Sequence, residues 1–359
     1  MSRPNILVTG AGGGGSNNLI RGLQAIDYPG KIVGSNISRF FIAKSLAESN
    51  YVIPRGDEDG YFEALETVIE TEDIDLILPN NGTEVRAISK LRDELSARVF
   101  LPPHTDIELC QDKYELTTHL QEYDIPVPES IPITESGDIA TAFETLNGDA
   151  LWCRLRRGSG SKGATKVRDP TQAQSWIEYW EDMRDVSKTE FTLNEYLPGR
   201  DYAFQSLWYE GELVLSKTLE RLSYYFGDNR ASGQSSTPQV GKLLYDETIQ
   251  DLCEAAIRAV NPDATGMYSI DLKEDADDNP HVTEINIGRF CMITNAFNEV
   301  GRHNMADFYT RVAFDDVPDI ENRRQDIGDE TTYLIRELDT EPLLITESEL
   351  ERSYTSTAE

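Results

Sequence analysis

Three residues in the second half of the chain have the side chains and the spacing of a metal site. Asp271 lies in one strand-like segment, and Glu284 and Asn286 follow thirteen and fifteen residues later in a second. Residues two apart on a strand face the same side, so Glu284 and Asn286 point together. Carboxylate and amide oxygens suit Mg²⁺ or Mn²⁺. Taken alone, three such residues would more often be a solvated acidic strand face. Together with the segments that precede them in the chain, they predict a metal site.

Cations and a glycine-rich loop precede these acids. Lys113 begins a helical segment, Arg154 lies on an apolar strand, and a loop of glycine and serine follows at 158–163. Both cations could bind phosphate, and arginine can do so with two parallel hydrogen bonds. The loop begins with Gly158, Ser159, Gly160, Ser161 and Lys162, and its glycines make it flexible.

In this order, the segments resemble the ATP-grasp superfamily, in particular the branch around the carbamoyl-phosphate synthase large subunit and the carboxylate–amine ligases. The resemblance covers roughly residues 5–315, and its strongest element is the ordered set ending in the Asp-Glu-Asn triple. It implies an α/β protein with an ATP-grasp fold and an N-terminal Rossmann-like, pre-ATP-grasp domain. It also implies ATP and Mg²⁺ (or Mn²⁺) as cofactors.

The resemblance implies which residues meet the nucleoside. Glu195, Tyr196 and Leu197 match the hinge strand whose backbone contacts the adenine edge. Asp201 stands where the family usually has glutamate for the ribose hydroxyls. This segment is therefore expected to bind the base and the sugar.

The resemblance also implies which residues act on the phosphates. Lys113 and Arg154 would flank the α- and β-phosphates, where the family more often has lysine at the second position. Arg289 would stabilise an acyl-phosphate transition state, although it lies one residue later than the usual arginine. The loop that begins at Gly158 would be a mobile lid whose backbone amides and Lys162 bind the phosphates, and a plain flexible connection is the competing interpretation. The two predicted catalytic residues are Arg289 and Lys162.

Recognition of an acceptor substrate is harder to predict. Lys217, Arg221 and Arg230 precede or lie in a polar loop over residues 227–238. The region could bind a carboxylate or be a solvated loop, and the sequence favours neither.

The start of the chain has a glycine pattern that allows a second hypothesis. Gly10, Gly12 and Gly15 follow a buried strand with the G-x-G-x-x-G spacing of dinucleotide-binding loops. However, the second strand ends at residues 34–36 with Gly-Ser-Asn, so no acid is present to bind a ribose diol. A tight strand-to-helix turn without a dinucleotide is the favoured interpretation.

Alternating strands and helices must position these residues. In the first hundred residues the alternation indicates a parallel sheet covered by helices, and Pro102-Pro103 marks a boundary. Beyond residue 150 two hairpins indicate antiparallel pairing, one around Glu210-Gly211 and one joining 267–273 to 281–287. The predicted units are a pre-ATP-grasp domain (1–103), an N-terminal subdomain with the lid (104–190), a C-terminal subdomain with the metal site (191–317) and a peripheral segment (318–359).

Composition excludes several classes of protein. The 64 acidic and 33 basic residues give a net charge of −31, which opposes binding to nucleic acid and to anionic membranes. The acids are dispersed and only 10 of the 33 basic residues are lysine, which suits a cytoplasm of high salt, so a halophilic source is expected. An ordinary acidic enzyme is the alternative. Neither the four cysteines nor the four histidines are spaced as zinc ligands. We expect a cytoplasmic protein, because no apolar run is long enough for a membrane span.

The leading hypothesis is an enzyme, an ATP-dependent carboxylate–amine ligase. It would form an acyl phosphate, join it to an amine, and release ADP and phosphate. The expected partners are a small carboxylate and a small amine, whose identities the sequence does not specify, and a homodimer is possible. The alternatives are a bicarbonate-activating enzyme like carbamoyl-phosphate synthase, an NAD-dependent oxidoreductase, and a nucleotide-binding protein without catalysis.

Overall fold

Strands and helices alternate at the start of the chain, as the sequence predicts. The computed structural model describes residues 3–135, 137–229, 231–233, 235, 237–337 and 343–352. The first elements are β1 (Ile6–Thr9), α1 (Gly14–Gln24), β2 (Ile32–Asn36), α2 (Arg39–Ile42), β3 (Ser49–Val52), α3 (Tyr61–Glu72), β4 (Leu76–Leu78), α4 (Gly82–Leu91) and β5 (Arg98–Val99).

These strands form a parallel sheet in the order β3-β2-β1-β4-β5. Ile6, Leu7 and Val8 of the central strand β1 are completely buried. A strand that is apolar on both faces is typical of a parallel sheet covered by helices on both sides. The sequence pattern does not predict β3, because this edge strand alternates partly and fully exposed residues and is too polar to stand out.

The middle of the chain forms a four-stranded antiparallel sheet in the order β6-β9-β7-β8. Asp112 separates two helices here, because its side chain accepts hydrogen bonds from the backbone of Tyr114 and Glu115 and so caps the second helix. The second helix begins at Lys113, where the sequence predicts the start of a helix. The elements are α5 (His104–Gln111), α6 (Lys113–Gln121), β6 (Ser130–Pro132), α7 (Gly137–Thr145), β7 (Leu151–Leu155), β8 (Thr165–Val167), α8 (Pro170–Arg184) and β9 (Phe191–Glu195).

The last part of the chain forms a seven-stranded antiparallel sheet in the order β14-β13-β10-β11-β12-β15-β16. Both predicted hairpins are confirmed, since β10 pairs with β11 and β13 pairs with β14. The elements are β10 (Asp201–Tyr209), β11 (Glu212–Tyr224), β12 (Pro238–Leu244), α9 (Glu247–Val260), β13 (Gly266–Glu274), β14 (Pro280–Ile287), α10 (Thr294–Glu299), α11 (Met305–Val312), β15 (Thr332–Ile335), β16 (Leu343–Thr346) and α12 (Glu347–Arg352).

Two apolar cores join the first sheet to the seven-stranded sheet. One contains Leu7 of β1 and Tyr268 of β13, and the other contains Ile6 of β1 and Leu207 of β10. The four-stranded sheet instead packs against α7 and α8 around a core of its own. We call the unit from β6 to β9 the small lobe. Its separate core means that it can move without exposing the other cores.

The segment after α11 is attached to the seven-stranded sheet more closely than the predicted peripheral position suggests. Ser216 of β11 donates its N–H to the carbonyl of Arg323 at 2.8 Å and accepts the N–H of Asp326 at 3.0 Å. Gln325 and Asp326 are buried. No helix within the described ranges has both the length and the apolar character required to cross a bilayer.

Lys217 of β11 is completely buried and forms an ion pair with Asp326, with Nζ 3.4 Å from the carboxylate. Its ammonium also donates to the carbonyls of Val300 and His303. Burial lowers the pKa of Lys217 to about 8, while Asp326 acts in the opposite direction. The side chain is therefore mostly charged at neutral pH and fixes the segment around Asp326.

Replacing Lys217 with methionine is expected to lower the free energy of unfolding by about 2–3 kcal/mol, because Asp326 and two carbonyls lose their buried partner. Urea denaturation at neutral pH measures this change. Lys242→Met, at a partly exposed position on β12, serves as the control and should change stability by less than about 0.5 kcal/mol. Equal stability of both variants would show that backbone N–H groups alone compensate Asp326.

Candidate active site

A cavity of about 440 Å³ lies where the three sheets meet. This volume is in the range of small-molecule sites. Its walls include Gly13 to Ser16 from the start of α1, Trp152 and Arg154 from β7, and Asp271 and Glu284 from the large sheet. Every part of the fold therefore contributes to one site.

The structure brings Asp271, Glu284 and Asn286 together on one wall of the cavity. Asp271 and Glu284 are direct partners across the β13–β14 hairpin, and Asn286 lies two residues along β14. The Asn286 amide donates to Glu284 at 2.9 Å and to Asp271 at 3.3 Å. Two carboxylates and an amide oxygen form a donor set that suits Mg²⁺.

Each member of this triple is contacted by a cation, and the cations at the two carboxylates come from other parts of the chain. The Lys113 ammonium lies 3.2 Å from Glu284. Arg221 donates to Asp271 at 2.5 Å, and Arg289 donates to the amide oxygen of Asn286. The triple is consequently surrounded by positive charge.

This environment affects the two carboxyls in opposite ways. Burial raises the pKa of Asp271, although Arg221 opposes the rise. Burial acts in the same direction on Glu284, but Lys113 and Asn286 outweigh it and hold the pKa of Glu284 below its ordinary value. Glu284 is therefore ionised at neutral pH and can bind a cation.

Arg154 is a buried cation with unused hydrogen-bond donors. Its Nη1 donates to the carbonyl of Thr283 at 3.0 Å. Its Nε and Nη2 are buried, and neither has a hydrogen-bond partner among the described residues. Burial lowers the pKa of Arg154 to about 10, so the guanidinium is still charged at neutral pH. Two orphaned donors on a buried cation fit a phosphate group.

The predicted nucleoside-binding residues Glu195, Tyr196, Leu197 and Asp201 also line the cavity. Trp152, which sequence reasoning missed, lies beside Tyr196 with ring centroids 6.2 Å apart. These two rings and Leu197 form an apolar wall that could hold a flat base.

Asp201 is placed between two cations on neighbouring strands. It lies opposite Arg221 of β11 and opposite Lys273 of β13. Its carboxylate is 2.8 Å from Arg221 and 3.7 Å from Lys273. This position fixes the carboxylate at the cavity wall.

Only part of the glycine-rich loop lines the cavity. Ser159, Gly160 and Ser161 do so, whereas Gly158 and Lys162 do not, and Lys162 is exposed. The carbonyl of Gly158 accepts a hydrogen bond from Lys113 at 2.7 Å. A role of Lys162 at the phosphates stays a prediction that requires movement of the loop.

The N-terminal glycine turn is arranged differently from a dinucleotide site. The N–H of Gly12 is already bonded to the Asn17 side chain at 3.0 Å. A Cβ atom at Gly12 would lie 1.8 Å from the carbonyl oxygen of Phe41, so backbone fills the space beside the turn. This packing supports the tight-turn interpretation and opposes a pyrophosphate at Gly12.

Two asparagines of the N-terminal unit hold the segment that follows β14. Asn80 accepts the N–H of Phe290 at 3.1 Å, and Asn18 donates to the carbonyl of Met292 at 2.7 Å. Arg289 directly precedes this fixed segment. Asn80 also donates to Ser16 at 3.3 Å.

The predicted acceptor region is brought together only in part. Lys217 is buried against Asp326 and does not line the cavity, so it cannot bind a substrate there. Arg221 lines the cavity, and Arg230 lies outside the described residues.

Sequence reasoning missed several further lining residues. They include Gly13, Gly14, Ser16, Asn80, Asn81, Trp152, Tyr224, Leu272, Lys273, Phe290, Cys291, Met292 and Ile293.

A signal for Asn80 was available in the sequence. Asn80 and Asn81 follow the buried strand β4 with one residue between, and ligands of parallel α/β sheets bind at the carboxyl ends of strands. The lining residues that follow Arg289, at 290–293, carried no comparable signal.

Comparison with known proteins gives a consistent result for the fold. The ATP-grasp domain family matches residues 110–290. No curated protein sequence matches the chain.

Solved structures match nearly the whole chain at low sequence identity. The biotin carboxylase domain of 2-oxoglutarate carboxylase from Hydrogenobacter thermophilus, solved with MgADP, ADP and bicarbonate, is 14% identical with a TM-score of 0.71 over 94% of this chain and 75% of that chain. Carboxyaminoimidazole ribonucleotide synthase from Aspergillus clavatus, complexed with ATP, is 16% identical with a TM-score of 0.68 over 93% and 82%. L-amino acid ligase from Bacillus licheniformis is 13% identical with a TM-score of 0.67 over 93% and 80%.

Proposed function

The chain belongs to the ATP-grasp family, and from this premise we propose that it is an ATP-dependent ligase that joins a carboxylate to an amine through an acyl phosphate. The observation that carries the proposal is one cavity in which the Asp271-Glu284-Asn286 triple faces a buried cation, Arg154, with two unused donors. Phosphoryl transfer requires this combination of hard oxygen ligands and phosphate-binding cations.

The nucleotide would extend along the cavity from the small lobe to the metal triple. We propose that the adenine lies against Tyr196 and Leu197, and that Asp201 accepts hydrogen bonds from the ribose hydroxyls. Lys113 and Arg154 would then bind the phosphates. Glu284 is 3.2 Å from Lys113, so the phosphate-binding cations and the metal ligands adjoin.

The first step would activate the carboxylate. A carboxylate oxygen attacks the γ-phosphorus of ATP, the bond to the leaving ADP oxygen breaks, and an acyl phosphate forms. Arg289 would donate hydrogen bonds to the charge that develops on the transferred group. Mg²⁺ held by Asp271, Glu284 and Asn286 would supply neutralisation of the phosphate charge.

The second step would form the product. The amine nitrogen attacks the acyl carbon, the carbon–oxygen bond to phosphate breaks, and the nitrogen loses a proton to solvent. The acyl phosphate must be kept from water until the amine arrives. Ser159, Gly160 and Ser161 already lie over the cavity, and movement of the small lobe on its separate core would close it further.

A covalent enzyme intermediate is disfavoured. Cys291 is the cysteine that lines the cavity, and burial raises the pKa of its thiol to about 12. A thiol with this pKa is protonated at neutral pH and is a poor nucleophile. Direct phosphorylation of the substrate is therefore the favoured route.

The proposal predicts ADP and inorganic phosphate as products, formed only when both a carboxylate and an amine are present. A screen of carboxylate and amine pairs for ADP release tests this, in molar KCl to screen the net charge of −31. AMP and pyrophosphate would indicate adenylation and contradict the proposal. ADP release with bicarbonate alone would favour the carbamoyl-phosphate-like alternative. The halophilic source, the cytoplasmic location and a homodimer stay predictions.

A further inference from the structure

Arg221 occupies a position that the proposed reaction does not explain. Its guanidinium lies in the cavity and bridges the proposed ribose ligand Asp201, at 2.8 Å, and the proposed metal ligand Asp271, at 2.5 Å. Both carboxylates would be needed by the nucleotide and its metal. The protein without nucleotide thus has a cation of its own where the substrates' groups should bind.

This arrangement is built into the sheet and is not a chance surface contact. Arg221 and Asp201 are direct partners across the β10–β11 pair, and β13, which bears Asp271, pairs with the other edge of β10. The side chains of Arg221 and Asp201 are only 13% and 12% exposed. Burial disfavours the charge of Arg221, but Asp271 and Asp201 outweigh it and raise its pKa.

The balance of charge in the cavity also opposes a metal ion on its own. The lining contains five cationic side chains and four acidic ones. In a chain whose net charge is −31, this wall is locally positive. The cations are Lys113, Arg154, Arg221, Lys273 and Arg289, and the acids are Glu195, Asp201, Asp271 and Glu284.

A lone divalent cation would therefore enter a positive site and displace Arg221 from Asp271, which leaves a buried guanidinium with one partner fewer. A nucleoside triphosphate reverses the balance, because its phosphates bring several negative charges and offer Arg221 a new acceptor. The surrounding cations that oppose binding of a metal alone would thus permit binding of a metal that arrives with the phosphates.

We propose that Arg221 blocks the metal site in the free protein by forming an ion pair with Asp271. A divalent cation then binds together with a nucleoside triphosphate and not alone. This inference rests on the proposed function, since it takes Asp271 as a metal ligand and ATP as the substrate. Arg221 thereby acts on the metal through Asp271 and is a positioning residue.

Binding of Mn²⁺ to the full chain tests the proposal, with free Mn²⁺ measured by electron paramagnetic resonance in molar KCl. For the wild type, we expect binding at the site to be at least about tenfold tighter with a non-hydrolysable ATP analogue than without it. Arg221→Met should tighten binding of Mn²⁺ alone by about tenfold or more and narrow this difference. Arg221→Lys keeps the charge and should resemble the wild type.

The double variant Arg221→Met/Asp271→Asn measures non-specific binding of Mn²⁺ to the acidic surface, because it lacks the Asp271 carboxylate. It should not show the tighter binding of Mn²⁺ alone that is expected for Arg221→Met. If Arg221→Met is too unstable for titration, Arg221→Gln keeps hydrogen-bond donors without the charge. Its melting temperature should rise with Mn²⁺ alone, whereas that of the wild type should not.

The outcomes separate this inference from the proposed function. If Arg221→Met and Arg221→Gln bind Mn²⁺ alone as weakly as the wild type but bind Mn²⁺ normally with the analogue, Arg221 does not block the metal site. The proposed function would still stand. Failure of the wild type to bind the analogue, with or without Mn²⁺, overturns the proposed function and the inference with it.

Discussion

Glu284→Gln is expected to lower kcat about a thousandfold without weakening the binding of ATP measured in the absence of metal. Glu284 lies at the centre of the proposed metal site, bonded to Asn286 at 2.9 Å and beside Lys113 at 3.2 Å. The amide keeps the shape of the side chain but removes the charge that a divalent cation requires. The adenine and ribose contacts lie elsewhere in the cavity, so nucleotide binding should persist.

The experiment compares kcat with the Kd of ATP in EDTA for the same variant. Asp275→Asn is the matched control, because this acid lies in the turn between β13 and β14, outside the cavity, where it accepts hydrogen bonds from Asn279. The control should keep activity within about threefold of wild type. Wild-type activity of Glu284→Gln would mean that the triple is an ordinary acidic face.

Arg289→Met is expected to lower kcat by about 10²–10³ while the Kd of MgATP changes by less than about threefold. The guanidinium donates to Asn286 at the end of the cavity that the N-terminal unit closes. It is therefore placed to stabilise charge on the transferred phosphoryl group, not on the adenosine. Arg289→Lys should be intermediate, since lysine keeps the charge but loses the planar pair of donors.

Single-turnover transfer of the γ-phosphoryl group separates the chemical step from ATP binding. Arg258→Met provides the control, because this arginine pairs with Glu254 on the exposed side of α9. A fall in ATP affinity equal to the fall in kcat would show that Arg289 binds the ground state and has no special role in transfer.

The proximity of Asp271, Glu284 and Asn286 was predictable from the sequence because the three residues lie on one hairpin and strand alternation turns Glu284 and Asn286 to the same side. The direct pairing of Asp271 with Glu284 was not predictable, because it depends on a bulge at Thr283. The same reasoning predicts the two hairpins and the central parallel strands. Apolar content and period of two are sufficient for such elements.

The rest of the site depends on contacts that sequence pattern does not specify. Arg221 reaches Asp271 across 50 residues, and Asn80 reaches Phe290 across 210. Lys217 lies four residues before Arg221 on the same strand and has the same charge, but it is buried against Asp326 and does not line the cavity. Tertiary packing determines which of these two cations lines the cavity, and the sequence around Lys217 and Arg221 does not distinguish them.

The shared apolar cores of the first sheet and the seven-stranded sheet have a consequence for how the chain folds during synthesis. Helices of the N-terminal unit cover its sheet, but both cores continue into the seven-stranded sheet, where they include Met267 and Tyr268. When residues 1–103 leave the ribosome, this part of each core does not yet exist. The N-terminal unit resembles a dinucleotide-binding domain in outline, but its cores are complete only after the last third of the chain has begun to emerge.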